Sequence, residues 1–88
     1  MMRWVKLLSE SGEQLSLIEY LTSNTVRFWG TVKTDADGIY RIAAYSPDRE
    51  LKTVKEPIAS LEEAQTVVEK FLFDNGTLKE GDEVEYDE

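Results

Sequence analysis

The sequence predicts a small α+β protein, in which an antiparallel sheet of three to five strands packs one face on a C-terminal helix at about residues 61–74. Short segments of alternating apolar residues, separated by turns that contain Gly, Asp and Pro, predict the strands. One longer segment with apolar residues at spacings of three and four predicts the helix. Residues 1–78 form the predicted domain, and residues 79–88 form an acidic tail that is either mobile or an edge strand.

The first 24 residues allow two interpretations. Residues 3–8 alternate as a strand does, and a polar turn around Gly12 lets the chain return as a second strand. Residues 12–22 also fit a helix, because Ser11 and Gln14 match a capping box and apolar residues then recur every third position. The glycine in the turn favours the hairpin.

The middle of the chain predicts three consecutive strands. Residues 25–33 and 39–45 are rich in β-branched and aromatic residues, and the short Asp/Gly segment between them is typical of a hairpin. A second turn, at residues 46–49, contains Pro and Asp and leads to a short strand at residues 50–54.

Alternation of side chains assigns one face of this sheet to the core. The face predicted to pack on the helix contains Val26, Phe28, Val32, Tyr40, Ile42 and Ala44. Gly30 interrupts the first of these strands and indicates either a β-bulge or a close approach by another group.

The helix has signals at both ends. Ser60 and Glu63 match a capping box, and Pro57 stands just before it. Asn75 and Gly76 tolerate the left-handed conformation that ends many helices. An apolar stripe along the helix consists of Leu61, Ala64, Val67, Val68, Phe71 and Leu72.

Negative charge is concentrated in the C-terminal part of the chain. Residues 1–54 contain seven basic and seven acidic residues, whereas residues 55–88 contain three lysines and eleven carboxylates, which gives the whole formal charge of −8. The outer helix face and the tail are therefore predicted to form an acidic surface. Its members are Glu62, Glu63, Glu69, Asp74, Glu80, Asp82, Glu83 and Glu85.

Composition argues against an enzyme and against a metal site. The chain has no cysteine and no histidine, which removes thiolate chemistry, disulfides and the commonest metal ligands. Catalytic carboxylates need burial or a close partner, and Glu19 is the acid nearest to an apolar context. Asp35 to Gly38 resemble the start of a calcium loop, but Ser46 stands where the final Glu is required, so a hairpin turn is predicted. No catalytic residue, cofactor or metal is predicted.

Hydropathy predicts a protein that does not contact a membrane. No apolar segment approaches the roughly 18 residues of a membrane span, and the first ten residues lack the apolar stretch of a signal peptide. Together with the absence of cysteine, these features lead us to expect a cytoplasmic location.

A basic and aromatic strand face is the main candidate for a partner-binding surface. It consists of Arg27, Trp29, Lys33, Arg41 and Tyr45, with Arg49 and Lys52 at its edge. Cations beside aromatic rings bind nucleic acids on sheets, and the same rings serve as anchors for proteins. Alternatively, residues 3–21 cover Trp29 and Tyr45 as a second core layer. The exposure of Trp29 is expected to distinguish an open face from a covered one.

Three strands followed by one helix, with a tryptophan in a strand, are an arrangement with known counterparts. Over about residues 25–73 the chain resembles, in element order, the sheet-reading DNA-binding domains of plant AP2 factors and phage integrase arms. That resemblance implies nucleic-acid binding through the sheet face. The net negative charge opposes it, because nucleic-acid-binding domains usually carry a positive field.

These observations favour a small non-enzymatic protein-binding or regulatory domain, whose acidic helix and tail meet a partner with a basic surface. One alternative is an acidic inhibitor or DNA mimic of phage or mobile-element type, acting on a nucleic-acid-binding enzyme. A second is direct nucleic-acid binding through the sheet face, and a third is a homodimer that buries Trp29 and Tyr45.

Overall fold

The computed structural model describes residues 1–8, 14–34 and 38–86. It confirms the α+β class and the C-terminal helix, but the sheet has six strands rather than three to five, because both N-terminal segments and the tail join it. The elements in chain order are β1 (Met2–Leu8), β2 (Gln14–Leu21), β3 (Val26–Thr34), β4 (Tyr40–Tyr45), β5 (Leu51–Ile58), α1 (Leu61–Asp74) and β6 (Val84–Tyr86).

The strands lie side by side in the order β5-β4-β3-β2-β1-β6. Neighbours pair antiparallel from β1 to β5, whereas β6 returns after the helix and pairs parallel with β1. The segment that allowed a strand or a helix is a strand, with Ile18 opposite Trp4. The tail supplies the edge strand, with Val84 opposite Met2.

A β-bulge in β3 changes which residues face the helix. Ile18 lies opposite Gly30 and Glu19 lies opposite Phe28, so Trp29 has no partner in β2. Val32, Ile42 and Ala44 are buried on the helix side, as predicted. The prediction was wrong for Val26, which is 61% exposed, and for Phe28, which the bulge turns to the opposite face beside Glu19.

The structure confirms both features that Gly30 indicated, a β-bulge and a close approach by another group. It follows the bulge, and a Cβ atom added there would lie 3.0 Å from the Ala43 carbonyl oxygen and 3.0 Å from Cγ1 of Val68 in α1. The absence of a side chain at this position therefore lets the helix approach the centre of the sheet closely.

The helix begins and ends where the sequence predicted. Ser60 is the N-cap, and its hydroxyl accepts a hydrogen bond from the Glu63 backbone N–H at 3.1 Å. At the other end, the Asn75 N–H bonds to the Phe71 carbonyl at 3.1 Å and Gly76 has a φ of 78°. The fully buried residues of its stripe are Ala64, Val68 and Leu72.

The core lies between α1 and one face of the sheet. Trp4, Ile18 and Val32 are the main buried side chains from the strands, each at most 1% exposed. Among the helices of the described segments, none combines the length and the apolarity that a membrane crossing requires.

A candidate binding face on the sheet

The face of the sheet opposite α1 is not covered by any of the described helices and strands. We call it the open face. Residues 3–21 were considered as a second layer above it, and this interpretation is wrong, because β2 pairs with β3 and β1 pairs with β2 in the same sheet. The sheet and α1 therefore form two layers, and no helix or strand of residues 1–8, 14–34 and 38–86 lies over the open face.

The centre of the open face is a row of three apolar residues and two threonines that crosses five strands. Cross-strand pairing aligns Val5 with Leu17, Leu17 with Thr31, Thr31 with Ala43, and Ala43 with Thr53. The first four of these side chains are half-buried and Thr53 is exposed. We call these five residues the central row.

A second row lies along one margin of the central row. It joins Leu7, which is 47% exposed, to Leu15, Lys33 and Arg41 through direct cross-strand pairs. The leucines lie on β1 and β2, and the cations lie on β3 and β4. The open face thus has an apolar end and a basic end.

The other margin holds a group of side chains that we call the arginine–aromatic cluster. The rings of Phe28 and Tyr45 meet edge to face, with centroids 5.7 Å apart. The guanidinium carbons of Arg27 and Arg49 lie 5.0 and 5.1 Å from the centroid of the Trp29 ring. Arg49 also lies over the Tyr45 ring at 4.5 Å, which makes it the centre of the cluster.

The structure separates the five predicted partner-binding residues into two groups. Arg27, Trp29 and Tyr45 belong to the arginine–aromatic cluster, although Arg27 pairs with Tyr20 and therefore starts from the helix side of the sheet, contrary to the prediction. Lys33 and Arg41 pair with each other four residues further along the same strands, about 13 Å away at the usual strand rise.

Arg49 is held in place by its backbone and by its head group. Its φ of 65° is the only positive value at a non-glycine residue in the described part of the chain. Its N–H donates to the Ser46 carbonyl at 2.9 Å and closes the β4–β5 turn. Its Nη1 donates to the Phe28 carbonyl at 3.1 Å. A left-handed conformation costs a side-chain-bearing residue about 1–2 kcal/mol, so contacts of the guanidinium offset a real strain.

Trp29 does not behave as the sequence led us to expect. It is only 9% exposed although the face beside it is open, and the two guanidinium groups contribute to its cover. Its exposure therefore does not distinguish an open face from a covered one. A ring so enclosed cannot serve as a platform on which nucleotide bases stack.

Most of the predicted acidic residues lie away from the open face. Four are on α1 and three are in the segment that leads into β6, whereas Glu85 is in β6 at the edge of the open face; most of them are exposed. Two of them have partners within the chain. Glu69 accepts a hydrogen bond from the Tyr86 hydroxyl at 2.5 Å, and the Asp82 carboxylate accepts one from the Lys79 backbone N–H at 2.8 Å. Burial, together with the bond and the negative charge of Glu69, raises the pKa of Tyr86 to about 12.

Glu19, the acid nearest to an apolar context, forms an ion pair on the open face. Its Oε1 lies 2.8 Å from Nε of Arg3. Within residues 1–8, 14–34 and 38–86, no group of three or more acidic side chains is arranged to hold a metal ion. The calcium-like Asp35–Asp37 stretch lies outside the described residues.

Sequence reasoning missed two parts of this face. The alternation in residues 3–8 and 15–21 contained the signal for the apolar residues, but the open face appears only once β1 and β2 are placed beside β3. Arg49 was considered only at the edge of the basic face, and no sequence signal places an arginine in a left-handed turn position. The chain matches no protein-family model, and comparison with curated proteins and solved structures also gave no match.

Proposed function

We propose that this protein is a non-enzymatic protein-binding domain that binds its partner through the open face. The central row is the observation that supports this proposal. Valine, leucine and alanine side chains stand on a sheet face over which none of the described elements packs, and sheet faces of this kind normally pack against another element. A contiguous apolar surface bordered by polar residues is typical of protein interaction sites.

The charge of the open face favours a partner with an apolar surface bordered by carboxylates. Lys33, Arg41 and Arg49 border the central row on β3, on β4 and in the turn after β4, whereas Glu19 and Glu85 lie beside Arg3 at the β1 end of the open face. Complementary charge of this kind speeds association and orients the partner. The basic partner expected for the acidic helix and tail would use the other side of the molecule and remains a separate prediction.

Three other interpretations are less favoured. A second copy docked open face to open face would bring the same cations of both chains into one interface, because a two-fold contact is made by the same patch twice. Direct nucleic-acid binding is opposed by the net charge of −8 and the enclosed ring of Trp29. A DNA mimic needs free carboxylates, and two of the eight predicted ones, Glu69 and Asp82, have partners within the chain.

A pair of variants tests the proposal. Leu7→Asp places a charge at the margin of the open face, and Phe73→Asp places the same charge on the helix side. Both positions are about equally exposed, at 47% and 49%. The immobilised full chain is used to capture partners, and hydrogen exchange then locates the captured protein on the chain. We expect Leu7→Asp to abolish capture and Phe73→Asp to leave it unchanged, with protection on β1 to β4.

Three outcomes would overturn this function. The first is capture that Leu7→Asp leaves unchanged, and the second is protection confined to α1 and β6. The third is a wild-type chain that captures no protein but retards an oligonucleotide at low salt.

A further inference from the structure

We propose that the partner adds a β-strand to this sheet along residues 5–8 of β1, beyond the point where β6 ends. We call these four residues the β1 edge. This inference rests on the proposed function and specifies how the partner approaches, because an extended segment paired with the β1 edge places its own side chains next to the open face.

The two strands that flank β1 differ in length. β2 pairs with all of β1, from Met2 to Leu8, without a shift in register. β6 pairs with residues 2–4 only, so no described strand pairs with residues 5–8 on the β6 side. In an antiparallel pair the N–H and C=O groups of every second residue point away from the partner strand. The β1 edge therefore presents backbone donors and acceptors to a further strand.

An open cavity lies beside β1 at the end of β6. Its volume is about 340 Å³, and it is lined by Arg3, Trp4, Val5, Glu85 and Tyr86. Successive side chains of a strand point to opposite faces, so a cavity that three consecutive residues of β1 line together lies at the edge of the sheet and not on one face. This volume is many times the roughly 30 Å³ of one water molecule. An incoming strand thus has space beside the first residue of the β1 edge.

The opposite edge of the sheet is less suited to strand addition. β5 contains Pro57, which has no backbone N–H, and its pairing with β4 has a register irregularity. Lys52 is exposed on the same strand. Proline, bulges and lysine are features that prevent edge strands from pairing with other chains. The β1 edge has neither a proline nor a register shift, and the chain already adds its own β6 to the first half of β1.

The chemistry of the β1 edge specifies its occupant. Only an extended backbone presents complementary donors and acceptors at the spacing of a strand, and pairing of this kind is a known mode of peptide recognition. On the open face the new strand would lie beside Val5, which is half-buried, and Leu7, which is 47% exposed. We therefore expect a partner segment with β-branched or aliphatic residues at alternate positions. A second copy of the chain is less favoured, because two chains that each carry a charge of −8 repel one another.

Nuclear magnetic resonance can test this pairing with defined peptides. The full chain is labelled with 15N, and the amides of the β1 edge and the indole N–H of Trp4 are followed. Trp4 lines the cavity, and its Nε1 is buried without a hydrogen-bond partner among the described residues, so it reports directly on the site. One probe is a short acetylated and amidated peptide of alternating valine and threonine. The second carries N-methyl groups on two adjacent residues, which blocks both of its edges because adjacent N–H groups point to opposite sides.

In the chain alone, every second amide of the β1 edge should exchange quickly with solvent, because these amides point away from β2. The valine–threonine peptide should cause a saturable shift of the Trp4 signal and slow the outward amides at least tenfold. The methylated peptide should bind at least tenfold more weakly. Equal binding of both peptides, or amides that are all slow in the monomeric chain alone, would overturn the proposal. Sedimentation as a dimer in which the outward amides become slow would assign the β1 edge to a second copy and would also overturn it.

Leu7→Lys and Leu51→Lys are matched variants of the two edges. Leu7 lies in the β1 edge and Leu51 lies in β5, and their side chains are 47% and 53% exposed. Both variants should keep a thermal midpoint close to that of the wild type. Because lysine disfavours strand addition, Leu7→Lys should weaken binding of the valine–threonine peptide at least tenfold, and Leu51→Lys should leave it unchanged. A loss confined to Leu51→Lys would place strand addition on β5 and contradict the proposal.

Hydrogen exchange on the complex with the captured natural partner separates this inference from the proposed function. If capture protects β3 and β4 but leaves the outward amides of the β1 edge fast, strand addition is wrong and the open face stands. If those amides become slow while β3 and β4 exchange as in the chain alone, the partner binds by strand addition alone and the open face is wrong.

Discussion

The two faces of this sheet are built from the same strands and differ in almost every physical property. On the helix face, Ile18 and Val32 are at most 1% exposed and pack beneath α1. On the open face, their chain neighbours Leu17 and Thr31 remain half-buried with no described element above them. Because side chains alternate along a strand, one residue of displacement separates a core position from a surface position.

The two sides also differ in charge, which shows why net charge is a poor guide to what this molecule binds. The helix side carries the carboxylates of α1 and of the segment before β6. By contrast, Lys33, Arg41 and Arg49 border the open face. The whole formal charge of −8 comes from residues 55–88, because residues 1–54 carry no net charge. A partner that approaches β3 and β4 meets the basic part of the margin.

The largest expected effect comes from truncating neighbouring residues on opposite faces. Ile18→Ala should lower the free energy of unfolding by about 2–5 kcal/mol, because it opens a cavity at a position that is 0% exposed. Leu17→Ala removes a similar volume from the open face and should cost about 1 kcal/mol. Urea unfolding of both variants measures the difference. Equal losses would mean that the open face is covered in the free protein.

A smaller effect is expected where the two layers touch most closely. Gly30→Ala forces a methyl group against the Ala43 carbonyl and Val68, and should destabilise the fold by about 1–3 kcal/mol. The methyl group of Gly38→Ala would meet open space. Its destabilisation should therefore be limited to the strain of a residue with a side chain at a φ of 77°, about 1 kcal/mol.

The cause of the Gly30 effect can be checked with a double-mutant cycle. In a Val68→Ala background the methyl group of Gly30→Ala meets a smaller neighbour. The double variant should therefore lose less free energy of unfolding than the sum of the two single losses. Strict additivity would show that the helix does not rest on this position.

The local features of this fold were predictable, and the long-range ones were not. The helix could be placed from Ser60, from its apolar spacing and from Gly76, since capping and periodicity act over a few residues. The parallel pairing of β6 with β1 joins residues more than eighty positions apart, and no local pattern encodes it. Gly30 did indicate a bulge, but which neighbour loses its partner depends on the register of β2, and so Phe28 was placed on the wrong face.

The candidate site shows the same division. Sequence patterns predicted that Arg27, Trp29 and Tyr45 belong together, because a hairpin aligns the strands that carry them. The role of Arg49 depends on a backbone conformation that arginine rarely adopts and on rings from two other strands. Such a residue is recognised only when the turn and the strands are seen together.

The smallest effect concerns the outer edge of the helix side, where Tyr86 of β6 binds Glu69 of α1. Burial, the hydrogen bond and the charge of Glu69 raise the pKa of this hydroxyl from 10.0 to about 12 in the folded chain. The protonated form is therefore favoured by folding. Its stabilisation is complete below pH 10 and is lost as the pH rises towards 12.

Tyr86→Phe should remove this pH dependence, because phenylalanine does not titrate. The difference in urea midpoint between the wild type and Tyr86→Phe should then be largest below pH 10 and should shrink between pH 10 and 12. Glu69→Gln keeps an acceptor but loses the charge, so the pKa of Tyr86, followed by 13C-tyrosine resonances, should fall yet stay above its ordinary value because burial remains. If the difference in urea midpoint is constant from pH 8 to 12, the Tyr86–Glu69 hydrogen bond does not hold β6 to α1.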